Sequence, residues 1–238
     1  MRLAMWSGPR NLSTAMMYSF GNRSDFSAVD EPFYAAYLAM TGKVHPMGDQ
    51  IKASQNQDPH AVIDQLLAPT KTPHVYHKHM TQHMIDGIPR GFLKDCTNVF
   101  LIRHPARVVA SFSAKYDQPE LAEIGFLQQA ELYDQVISEG LPAVVVDSAD
   151  IRVNPEGMLR ALCAAIDLPF DPAMLAWPAG GHPDDGVWAA HWYGSVHNSK
   201  GFAGPEGPMP EVAPELAHLV SDAMPAYEKM KAVAIGIR

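Results

Sequence analysis

The run Trp6-Ser7-Gly8-Pro9-Arg10-Asn11-Leu12-Ser13-Thr14-Ala15-Met16-Met17 joins a short apolar segment to a helix-like one. Strand, small-residue loop and helix, in that order, build an anion cradle. Loop amides and first-turn N–H groups converge on one point, and the helix dipole adds positive potential there. Within the loop, Arg10 can hold an anion, and Ser13 and Thr14 can donate hydroxyl hydrogen bonds at the helix start. A second segment, Val99-Phe100-Leu101-Ile102-Arg103-His104-Pro105 continuing to Ser111, places Arg103 at the end of a hydrophobic strand. Arginine suits phosphate because its planar fork binds oxygens in pairs. Two such segments predict a ligand with two separate anionic groups. Each also has a plainer reading: Ser13 as a cap, Arg10 as a surface charge, Arg103 paired with a carboxylate, Ser111 as a satisfied helix serine.

The loop differs from the nucleotide triphosphatase pattern G-x-x-x-x-G-K-[ST]. Gly8 is followed by Ser13 and Thr14, but the second glycine and the lysine are missing. ATP hydrolysis of that type is therefore disfavoured. Two side chains compete as a general base. His79 follows the third strand in Val75-Tyr76-His77-Lys78-His79-Met80, and a neutral imidazole suits proton abstraction near neutral pH. Glu31 follows the second strand in Val29-Asp30-Glu31-Pro32-Phe33-Tyr34. His79 is the first choice and Glu31 the second. His74, His77, His79 and His83 invite a zinc reading, but His74 falls on the opposite strand face from His77 and His79. No carboxylate or cysteine with ligand spacing stands beside them, so no metal is expected.

The elements that must position these groups alternate. Strands are predicted at 2–6, 26–30, 74–79, 98–103 and 141–147. Helices are predicted at 14–22, 31–40, 61–67, 105–115, 120–139, 155–166 and 211–231, with loops at 43–58 and 178–210. This alternation implies a three-layer α/β/α fold with a mainly parallel sheet, a single domain over 1–238, and ligand binding at the carboxyl ends of the strands. The chain has 238 residues, 47% of them apolar and 18% charged, which is ordinary for a globular protein. A net charge of −8 argues against a broad nucleic-acid surface. Cys96 and Cys163 are far apart and fit a reducing compartment. No apolar run reaches the roughly 18 residues of a membrane helix, and no signal peptide is visible. A cytoplasmic enzyme is the simplest assignment.

On these motifs the chain resembles the sulfotransferase superfamily, whose fold is like that of the P-loop nucleoside triphosphate hydrolases. That superfamily uses 3′-phosphoadenosine 5′-phosphosulfate as donor. Its first motif, Pro-Lys/Arg-Ser-Gly-Thr-Thr, reads Pro9-Arg10-Asn11-Leu12-Ser13-Thr14 here, with Leu12 in place of glycine. Its second motif, an Arg at a strand end and a Ser eight residues on, reads Arg103 and Ser111. A looser match to Arg-Lys-Gly reads Ser199-Lys200-Gly201. The resemblance implies that Arg10, Ser13, Thr14 and the loop amides hold the 5′-phosphosulfate. It implies that Arg103, Ser111, Lys200 and Gly201 hold the 3′-phosphate. The family's Lys-Thr-His reads His77-Lys78-His79 here, which carries the base to His79, whereas other branches use a glutamate near Glu31. The implied activity is sulfuryl transfer, without metal, to a hydroxyl or amine of a small molecule. Two rivals stand beside it: a small-molecule kinase or nucleotide hydrolase on the same fold, and an inactive nucleotide-binding relative. The acceptor and the oligomeric state have no readable code.

Overall fold

Alternating apolar side chains decide the layers. Along β1 (Arg2–Ser7), Leu3 and Met5 join one core and Ala4 and Trp6 join another. Along β4 (Thr97–Ile102) the same split separates Val99 and Leu101 from Phe100 and Ile102. Successive side chains of a strand point to opposite faces, so both faces of the sheet are buried and helices cover each. The computed structural model describes residues 1–116 and 118–237, so the last residue of the predicted 1–238 domain lies outside it.

In chain order, β1 is followed by α1 (Ser13–Gly21), β2 (Phe26–Asp30), α2 (Tyr34–Thr41), α3 (Gly48–Ser54), α4 (Pro59–Leu67) and β3 (His74–Met80). Then come β4, α5 (Pro105–Ser113), α6 (Leu121–Ile124), α7 (Phe126–Ser138), β5 (Ala143–Asp147), α8 (Ser148–Val153) and α9 (Pro155–Ala165). Two short helices, α10 (Ala189–Trp192) and α11 (Gly194–His197), precede the closing α12 (Ala217–Lys231). The strands form one parallel sheet in the order β2-β3-β1-β4-β5. The three-layer α/β/α architecture is the one the alternation predicts. Helices α1 and α9 cover one face, and α4 and α7 cover the other. Among the described residues no helix is long and apolar enough to cross a membrane.

Chain order reverses around β1, which leads outward to β2 while β4 lies on its other side. Such a reversal opens a crevice at the carboxyl ends of the strands. Several local departures from the sequence reading shape that crevice. The helix predicted from 31 starts only at Tyr34, because Glu31 takes a left-handed backbone (φ 41°) and Pro32 follows it. The predicted loop at 43–58 contains α3, a short helix with a single buried residue, Ile51. The predicted helix at 120–139 breaks at Gly125, whose φ of 71° caps α6 and starts α7. The break brings the Ile124 carbonyl against the N-terminal loop, where a Cβ on Gly8 would lie 2.4 Å from it. Backbone meets backbone there, and neither side can rotate away. Gly8→Ala is therefore expected to destabilise the fold by about 1–3 kcal/mol, as overpacking of a closed site does, measured by chemical denaturation. An unchanged midpoint would contradict this contact.

Candidate functional site

The loop after β1 leaves the sheet through two left-handed residues, Arg10 (φ 59°) and Leu12 (φ 67°). A non-glycine residue in that conformation carries a strain of roughly 1–2 kcal/mol. Leu12 stands where the motif has glycine, and the loop takes a glycine-like path despite the side chain. Leu12 is also the N-cap of α1 and makes no side-chain hydrogen bond to it. Ser13 is thus inside the helix rather than its cap. The loop is pinned from beneath. Asn11 Nδ2 donates to the Leu101 carbonyl at 2.7 Å, and buried Gln129 of α7 donates to the carbonyls of Leu101 (2.9 Å) and Trp6 (3.3 Å).

Pro9, Arg10, Asn11, Leu12, Ser13 and Thr14 line a cleft of about 270 Å³ at the ends of β3, β1 and β4, together with Glu31, Arg103 and Ser111. Arg10 Nε donates to Ser111 Oγ at 2.8 Å, and Arg103 donates to the Arg10 carbonyl at 2.5 Å. The two motifs therefore share one cleft. Arg10 has no carboxylate partner among the described residues, and burial and then the Arg103 charge pull its pKa below the ordinary value. Arg103 instead pairs with Glu206, which comes from the loop before α12 (Nη2–Oε1 2.6 Å). Aromatic rings of Tyr34, Tyr37, Phe112, Tyr116 and Trp192 form much of the remaining wall.

At the foot of the cleft a lysine is almost fully enclosed. Lys78 Nζ lies 2.9 Å from Asp30, 2.6 Å from Glu31 and 2.5 Å from the Tyr193 hydroxyl. Burial works against its ammonium, but the charges of Asp30 and Glu31 together outweigh this and raise its pKa. Burial, and then the Glu31 charge, push the Asp30 carboxyl up, against the pull of Lys78. Tyr193 also contacts Asp30 (2.8 Å), and Trp188 donates to its hydroxyl at 3.0 Å. The Gly186 amide donates to Asp30 at 3.0 Å. The long Gly/Pro-rich loop is thus anchored on the charge cluster. His83 also lines the cleft, stacked between Tyr34 and Tyr37, and burial keeps it neutral.

His79 does not reach the cleft. It lies on the Trp6 face of the sheet, stacked on Trp6 (ring centroids 4.2 Å) and flanked by Phe33 and Phe92. Strand alternation explains this: Lys78 faces the cleft, so its neighbour faces away. Neither His79 ring nitrogen has a hydrogen-bond partner among the described residues, and burial drives its pKa well below 6.5. The base role predicted for His79 is therefore at odds with its position. Lys200 and Gly201 are also outside the cleft lining. Lys200 is exposed and its carbonyl accepts from the Trp177 amide, while Gly201 bridges Ala176. The sequence reading assigns no role to Lys78, Gln129 or Glu206. Only Lys78 had a usable signal, its parity within β3. Among the described residues no group of three or more His, Cys, Asp or Glu is placed to hold a metal.

Two expectations follow from these positions. Replacing His79 with Phe keeps a ring in an apolar stack and removes an unpaired buried donor. The variant should fold and turn over normally, and it should be less sensitive to acid. A depressed histidine pKa withdraws stability as pH falls below 6.5, because the unfolded chain then takes up the proton. Denaturation midpoints at pH 7 and pH 5 measure this, and a loss of turnover would return His79 to the chemistry. Lys78→Met leaves two buried carboxylates without their cation and should destabilise by about 3–5 kcal/mol at neutral pH. The deficit should shrink as pH falls, since protonated carboxyls no longer need the lysine. A pH-independent deficit would contradict the charge account.

The family model described as "Sulfotransferase domain" matches residues 1–234. Two Arabidopsis thaliana proteins, branched-chain-amino-acid aminotransferase-like proteins 1 and 2, are 35% and 33% identical over 95% of this chain. The chain spans only 41% and 40% of their lengths. The sulfotransferase domain from the curacin biosynthetic pathway shares the fold, with a TM-score of 0.53 and 15% identity over 99% of this chain and 93% of that one. The loop, the strand-end arginine and the match along the chain agree: this chain belongs to the sulfotransferase domain family, a family of group-transfer enzymes.

Proposed function

We propose that this chain moves a sulfuryl group from 3′-phosphoadenosine 5′-phosphosulfate to a hydroxyl or amine of a small molecule held in the cleft. The observation that carries this reading is the meeting of Arg10 and Arg103 at one opening, with no carboxylate partner of Arg10 among the described residues. Two adjacent guanidiniums favour a ligand that brings its own negative charge. The absence of a side-chain cap on α1 supports the same reading, because its first-turn N–H groups face no competing acceptor from Leu12.

The donor supplies a sulfuryl group on a phosphate leaving group. Ser13 and Thr14, with the first turn of α1, hold the 5′-phosphate. Arg10 opposes the charge that grows on that phosphate as its bond to sulfur breaks, the kind of fixed stabilisation that dominates such transfers. Ser111 Oγ accepts from Arg10, so its own proton is free for a phosphate oxygen, and Arg103 supplies charge beside it. Glu31 is the base. It lines the cleft, Lys78 fixes its Oε1, and its Oε2 has no hydrogen bond among the described residues. The acceptor's proton passes to Glu31 while the new bond to sulfur forms. The aromatic wall supports an acceptor with a flat or apolar body. A cytoplasmic setting fits the free thiols of Cys96 and Cys163.

The reading is tested with sulfur-labelled donor and a panel of phenols, alcohols and amines. Wild-type protein should label at least one acceptor class. Glu31→Gln should lower kcat by about 10²–10⁴-fold and leave binding of adenosine 3′,5′-bisphosphate within a few-fold of wild type. Near-normal turnover in that variant would remove Glu31 from the role. ATP-dependent phosphorylation of the same acceptors, with no sulfur transfer, would overturn the reading in favour of a kinase.

A further inference from the structure

Glu206 is the most heavily paired carboxylate outside the base cluster. Its side chain is only 5% exposed, and three arginines from three elements close on it. Arg103 follows β4, Arg107 lies in α5 and Arg152 lies in α8. The contacts are 2.6 Å from Arg103 Nη2, 2.9 Å from Arg107 Nε and 3.3 Å from Arg152 Nη1. Arg107 and Arg152 also hold the surrounding backbone, donating to the carbonyls of Glu206, Gly207 and Gly204. One carboxylate therefore faces three guanidiniums, none of which has another carboxylate among the described residues.

The segment that delivers Glu206 has little else to hold it. From 203 to 211 every other residue is exposed except half-buried Pro210, and Gly204, Pro205, Gly207 and Pro208 flank the glutamate. Apolar anchors resume only outside it, at Phe202 and at Val212. Arginine contacts, to the Glu206 carboxylate and to three strap carbonyls, thus take the place of apolar anchors here. A phosphate monoester carries about −1.5 to −2 charge and three acceptor oxygens, against −1 and two for a carboxylate. Three forked cations match the phosphate better.

We propose that Arg103, Arg107 and Arg152 form a phosphate site that Glu206 fills as an exchangeable placeholder, and that the terminal 3′-phosphate of the donor displaces it. The inference rests on the donor reading above and adds two binding residues, Arg107 and Arg152, and one competitor, Glu206. A placeholder lowers apparent affinity by the fraction of time the site is open. Affinity for a nucleotide with a 3′-phosphate should then depend on Glu206, and affinity for one without it should not.

The experiment is calorimetry with adenosine 3′,5′-bisphosphate and adenosine 5′-phosphate on wild type, Glu206→Gln and the double variant Glu206→Gln/Arg152→Ala. Glu206→Gln should tighten the bisphosphate about tenfold, which corresponds to a site occupied by the carboxylate about nine-tenths of the time. The monophosphate should be unchanged. Adding Arg152→Ala should weaken the bisphosphate again and leave the monophosphate alone. In wild type, hydrogen exchange across 203–210 should quicken on adding the bisphosphate and not the monophosphate; this arm decides the matter if the variants fold poorly. Equal bisphosphate affinity with and without Glu206, or exchange that slows, overturns the placeholder and leaves the donor reading standing. No bisphosphate binding by any of the three proteins overturns both.

Discussion

Positive charge gathered where β1 and β4 end is the constraint around which the rest of the molecule is arranged. Arg103 donates to the backbone of Arg10, and Arg10 donates to Ser111, so two guanidiniums are fixed within one opening. Bringing them together in a partly buried place is unfavourable, and the lowered pKa of Arg10 is its signature. The fold holds that arrangement by fixing its supports. Asn11 ties the loop to the Leu101 carbonyl, Gln129 ties α7 to the strand ends on either side of it, and the break at Gly125 sets α6 against Gly8. The left-handed backbone at Arg10 and Leu12 is strain of the kind that persists only where surrounding contacts impose it.

The second organising interaction has the opposite sign. Asp30 and Glu31 enter the interior at the end of β2, and Lys78 of β3 pairs with both within a shell closed by Tyr193 and Trp188. This cluster anchors the aromatic loop over the sheet and orients Glu31 at the cleft. Removing a partner from such a group exposes an uncompensated buried charge, so the cluster fixes geometry more than it adds net stability. A carboxylate held by a buried cation on one side and two guanidiniums on the other give the cleft its polarity.

Much of this was legible in the sequence. The strand–loop–helix order and the Arg103–Ser111 spacing located the cleft, and apolar alternation gave the sheet. The His79 reading parts from the structure on strand parity, since His79 faces the Trp6 stack and Lys78 the cleft. Adjacent residues of β3 cannot both face the cleft, and the enclosed acids at Asp30 and Glu31 needed the lysine. The splitting of 120–139 turned on Gly125, which takes a left-handed backbone and where a Cβ would meet the distant Thr81 hydroxyl. Glu206 was illegible because its partners lie 103, 99 and 54 residues away and no periodic pattern links them. Short α3 was missed for the same kind of reason: one buried isoleucine is too little periodicity to announce a helix.

The central claim is a bipartite grip on one nucleotide, and a crystal structure with adenosine 3′,5′-bisphosphate tests it most directly. The account predicts the 5′-phosphate against the loop of residues 9–14 and the start of α1, with the 3′-phosphate within hydrogen-bond distance of Arg103. A nucleotide bound with only one phosphate in the cleft, or seated away from both Arg10 and Arg103, would contradict it.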